Sequence, residues 1–70
     1  MSDTEQVRRL IRRPGVREKT GLADSTLYYL IAQGRFPRPV KLSHKLAAWV
    51  EAEVDAWVDK RITERDQAAT

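Results

Sequence analysis

Seventy residues, no cysteine, a single histidine and a formal net charge of +3 predict one small domain without disulfide staples, a thiolate zinc site or a cage of imidazoles. A chain of this size buries only about 60% of its unfolded surface, so stability must come from a compact core or from a partner. No apolar run approaches the roughly 18 residues needed to span a bilayer, and the opening MSDTEQ is acidic and polar, so a cytoplasmic protein is expected.

The small net charge hides a segregation. Residues 8–46 carry ten Lys or Arg against Glu18 and Asp24, or +8. Residues 47–70 carry Lys60, Arg61 and Arg65 against six acids, or −3, and the first seven residues add −2. The first two-thirds of the chain therefore offer a basic surface suited to a polyanion, and charge alone leaves a merely solvated basic face as the alternative.

In chain order, residues 1–7 lack apolar periodicity and are expected to form a disordered arm. The stretch VRRLIRR, Val7 to Arg13, supplies Leu10 and Ile11 as core candidates and reads either as a short strand or as an extended lead-in. Pro14 suits the first turn of a helix and Gly21 a helix exit, giving about two turns over Pro14–Thr20 with Val16 inward. Two turns do not stand alone, so this helix is expected to pack on the next. Gly21, Leu22, Ala23 and Asp24 form a corner of helix-turn-helix length, with Leu22 plugging it.

Asp24 is a good N-cap residue for a second helix over Ser25–Gln33, which Gly34 ends in a left-handed turn. At about 100° per residue, Leu27, Leu30 and Ile31 share one side, while Ser25, Tyr28, Tyr29, Ala32 and Gln33 face away. That outer face bears aromatics and short hydrogen-bonding groups but no carboxylate after the cap, which suits an approach to phosphates and base edges. In Arg35-Phe36-Pro37-Arg38-Pro39 the prolines stop the helix, and Phe36 is placed to seal the core. Val40 and Leu42 alternate with Lys41, Ser43 to Lys45 turn, and Leu46 to Trp49 return, so Pro39–Trp49 predicts a two-stranded hairpin with a basic tip. From it Arg38, Lys41, His44 and Lys45 are in reach of phosphates; for His44 the plainer expectation is an exposed turn residue.

Val50, Val54, Trp57, Val58 and Ile62 mark the stripe of a last helix from Glu51 to about Glu64. With Glu51, Glu53, Asp55 and Asp59 on its other sides, this helix belongs behind the basic layer, and Trp49 and Trp57 belong to the core. Residues 65–70 have nothing to bury and are expected to fray.

Taken together, TGLADSTLYYLIAQGRFPRPVKL, Trp49 and EAEVDAWVDKR resemble the AlpA-type phage and prophage regulators, small members of the MerR-like winged helix group that also contains excisionases. The resemblance covers about residues 8–62. It implies a mainly α winged helix-turn-helix, three helices with a two-stranded β-hairpin wing over residues 8–64, in a bacterial DNA-binding protein without cofactor. By that similarity Ser25, Thr26, Tyr28 and Tyr29 face the major groove or its flanking phosphates, and Arg38, Lys41 and the 43–45 turn form the wing. Gln33 and Arg35 complete the expected DNA-facing set. Two positions depart from the family pattern: Tyr29 stands where Arg is common, and Ala48 where a basic residue is common.

Three functions remain open. One is a sequence-specific regulator of mobile-element genes that binds double-stranded DNA, with a second copy on adjacent sites left open; another is an excisionase that bends DNA. The third is a protein interaction module using the last helix. An enzyme is not expected, because the only histidine sits in the predicted wing turn and no nucleophile and base are spaced for catalysis. Neither a membrane nor a small-molecule substrate is expected as a partner.

Overall fold

In a computed structural model, which describes residues 8–68, the chain runs β1 (Leu10–Ile11), α1 (Arg13–Thr20), α2 (Asp24–Ala32), β2 (Val40–Ser43), β3 (Leu46–Val50) and α3 (Glu51–Ala68). Three helices and a small antiparallel sheet make a mainly helical domain, compatible with a winged-helix-like fold. The expected arm (residues 1–7) and the last two residues lie outside the described part.

The open choice at VRRLIRR resolves as a strand. Leu10 lies opposite Val50 and Ile11 opposite Trp49, so the sheet has three strands in the order β1-β3-β2 rather than two. The amide of Glu51 also donates to the carbonyl of Arg9 at 2.7 Å. Because side chains alternate across a strand, pairing splits the two core candidates: Ile11 packs on the core, while Leu10 faces outward and is 40% exposed.

Pro14 does sit in the first turn of α1, and Gly21 ends that helix at φ 73°, its amide reaching Arg17 O at 2.7 Å. Thr20 Oγ1 donates to Val16 O and accepts from the amide of Leu22, which fixes the corner. The main neighbour of α1 is α3, not α2 as expected from proximity in the chain. Lys19 reaches across to Asp55 at 2.8 Å and Glu51 at 3.3 Å, which draws the two helices together over Val16 and Val54.

The core joins Val16, Leu27, Phe36, Trp49 and Val54, flanked by Ile11, Leu22, Leu30, Ile31 and Trp57. It contains no buried polar or charged residue among the described ones. Trp49 is enclosed, whereas Trp57 stands at the core's edge, its ring meeting Phe36 edge-on at 4.9 Å. α3 continues through Ala68, past the expected end near Glu64, because no Gly or Pro interrupts it. From Asp59 onward all its residues are exposed, Ile62 among them at 44%.

Candidate nucleic-acid interface

The exposed face of α2 is as the helical period requires. Leu27 is fully buried and Leu30 and Ile31 partly so, while Ser25, Thr26, Tyr28, Tyr29 and Gln33 are exposed, Tyr29 at 58% and Tyr28 at 46%. The start of the helix differs from expectation. Ala23 occupies the N-cap position and Asp24 is the first helical residue, with no side-chain capping bond. Its carboxylate is drawn back to α1 instead, where Arg17 stands at 3.4 Å and Arg13 at 3.7 Å. An acid in the first turn still complements the helix dipole, and here it leaves the outer face of α2 without a free negative charge.

At the other end, Gly34 (φ 72°) takes the left-handed exit. Its amide bonds Ile31 O and that of Arg35 bonds Leu30 O, the paired bonds of a Schellman turn. Two indoles then pin the irregular linker: Trp57 Nε1 donates to Arg35 O at 2.8 Å and Trp49 Nε1 to Pro37 O at 3.1 Å. With its backbone held, Arg35 extends outward, and its guanidinium donates to Gln33 Oε1 at 3.4 Å.

In the hairpin, Val40 pairs with Ala48, Lys41 with Ala47 and Ser43 with Leu46, with a bulge between Lys41 and Ser43. Ser43 therefore belongs to β2, and the turn itself is His44 and Lys45. Arg38, Lys41, His44 and Lys45 are all exposed. None of them makes an ion pair or side-chain hydrogen bond among the described residues. In contrast, Arg9, Arg13, Arg17 and Lys19 each face a carboxylate. The unpaired cations of the sheet hairpin and linker are those that lie beside α2 in the chain.

One cavity of about 360 Å³ shows how these parts meet. It is lined by Tyr28 from α2, Lys45 and Ala47 from the hairpin, Trp49 beneath, and Arg12, Arg13 and Pro14 from the start of α1. The exposed face of α2 and the basic tip thus share one groove. Arg12 and Arg13 were not among the residues expected from sequence to face a ligand; the signal was present in the RRP run that opens α1, but only tertiary structure brings it to Tyr28. No group of His, Cys, Asp or Glu among the described residues is placed to hold a metal ion, and no helix is long and apolar enough to cross a membrane.

The family model described as "Prophage CP4-57 regulatory protein (AlpA)" matches residues 9–62. The chain is 46% identical over 57 residues to "Uncharacterized protein ORF88" of Enterobacteria phage P4, a match covering 81% of this chain and 65% of the relative. The chain thus spans less than two thirds of that relative's length. It is 36% identical over 59 residues to the "DNA-binding transcriptional activator AlpA" of Escherichia coli, covering 76% of this chain and 84% of the relative. With a family match across residues 9–62, most of its length, and a relative 36% identical over 59 residues, the chain belongs to the AlpA family of prophage regulatory proteins.

Proposed function

We propose that this protein is a sequence-specific, double-stranded DNA-binding transcriptional regulator of a phage or other mobile element, acting as a winged helix-turn-helix in the cytoplasm. In this reading α2 enters the major groove with Ser25, Thr26, Tyr28, Tyr29 and Gln33 toward base edges or flanking phosphates. Hairpin β2–β3 is the wing, and Arg35, Arg38, Lys41, His44 and Lys45 meet the backbone. The observation that carries the reading is the shared groove, where Tyr28 of α2 and Lys45 of the hairpin lie together. Of its basic lining residues, Arg12 and Lys45 have no acid partner among the described residues, which leaves their charge for a polyanion.

Of the two DNA-binding readings, the regulator is favoured over the excisionase, because the Escherichia coli relative is named a DNA-binding transcriptional activator. Tyr29 lacks the forked donor that reads guanine, so single hydrogen bonds from Ser25, Thr26, Gln33 and the tyrosine hydroxyls, with contact to a thymine methyl, are the modes of readout open to this helix.

Selection from a pool of random duplexes tests the proposal. Enrichment of one short motif, bound without strong bending, is the expected result. Recovery of no motif would refute sequence-specific binding, and tandem direct sites with strong bending would favour the excisionase.

A further inference from the structure

The groove beside Tyr28 has a composition that the recognition face alone does not explain. Its lining joins Arg12, Arg13 and Pro14 from the start of α1 with Lys45 and Ala47 of the hairpin and Trp49, which is 2% exposed. No carboxylate lines it. Asp24 holds Arg13 from outside the groove at 3.7 Å, whereas Arg12 and Lys45 meet no acid among the described residues. Two cations distant in the chain, Arg12 and Lys45, therefore line one pocket with no acid partner among the described residues, and Ala47 beside them adds no bulk. Such a pairing of cations suits an anion, and the phenol of Tyr28 adds a hydrogen-bond donor suited to a phosphate oxygen.

We infer that this groove is a phosphate clamp, in which Arg12 and Lys45 grip one backbone phosphate of the DNA strand that flanks α2, with Tyr28 donating a hydrogen bond. The inference rests on the DNA-binding reading and adds to it a contact from the start of α1. It makes Arg12 a positioning residue: the grip sets how far α2 sits in the groove without reading a base, because phosphates carry no sequence information. Sharing one phosphate also ties wing and first helix together on DNA.

The test is a double-mutant cycle on the full chain, measuring affinity for a random duplex as a function of salt for Arg12→Gln, Lys45→Gln and both together. Lys60→Gln, on α3 and outside the groove, serves as a control, and melting temperature confirms folding of each variant. Either single change in the groove is expected to weaken binding about tenfold near 0.1 M salt and to lower the salt slope by roughly one unit. The double change should cost clearly less than the two single costs combined, since both act on the same phosphate. Additive losses would overturn the shared clamp, as would an Arg12→Gln variant that behaves like Lys60→Gln while Lys45→Gln weakens binding. Failure of the unmodified protein to bind any duplex would instead refute the DNA-binding reading itself. A parallel titration compares sodium phosphate with sodium chloride at equal ionic strength. Equal competition is expected for a site that takes only backbone phosphate, and stronger, Arg12-dependent competition by inorganic phosphate would show a free-anion site and overturn the assignment to DNA.

Discussion

Tyr29 and Lys19 illustrate how different two exposed side chains on neighbouring helices can be. Tyr29 is 58% exposed at the middle of the outer face of α2 and does not belong to the buried core cluster. Tyr29→Ala is therefore expected to leave the melting temperature nearly unchanged while lowering affinity for a selected site more than for random DNA. A fall in melting temperature with the specific-to-random ratio intact would show Tyr29 to be structural. Lys19 works within the protein. Hydrogen bonds to Asp55 and then Glu51 raise its pKa above the ordinary lysine value of 10.5. The folded state thus holds the proton more tightly than the unfolded state, so the contribution is fully present below pH 10.5 and is lost as pH rises through the raised value. Lys19→Gln should flatten the alkaline fall of the melting temperature; an unchanged profile would show the pairing to be too well solvated to matter.

At the scale of elements, short helices are fixed by what ends them and by two tryptophans. A Cβ at Gly34 would meet no atom within 4 Å, so the cost of Gly34→Ala comes from its φ of 72° alone. That cost is about 1 kcal/mol in chemical denaturation, and a neutral result would mean that the Schellman turn relaxes freely. Trp57→Ala removes both the edge contact to Phe36 and the bond to Arg35 O. It is expected to destabilise by about 3 kcal/mol, with Trp57→Phe losing only about 1 kcal/mol, the share of the hydrogen bond. Equal losses would place the stabilisation in the indole N–H rather than in packing. Much at this scale was legible in the sequence, because Pro14, Gly21, Gly34 and the apolar spacing of Leu27, Leu30 and Ile31 act locally. Asp24 was not: its capping preference is real, but two arginines on α1 outcompete the backbone amides for its carboxylate. The pairing of β1 with β3 and the packing of α1 on α3 also depend on partners some 35 to 40 residues distant along the chain, which local propensity does not register.

For the whole molecule, the meaningful quantity is the separation of charge that the fold preserves and sharpens. Glu51 and Asp55 of α3 are engaged by Lys19 and Arg9, and Asp24 by Arg13 and Arg17, while the cations of the hairpin and Arg12 have no acid partner among the described residues. The sequence showed the excess but not which cations survive internal pairing, because pairing is decided by tertiary neighbours. The measurement that bears most directly on the function is affinity for duplex DNA across a range of salt. With on the order of four to six phosphate contacts from the wing, α2 and the groove, log affinity should fall linearly with log salt at a slope of roughly −4 to −5. A slope near zero would contradict the account and return the basic face to a merely solvated surface.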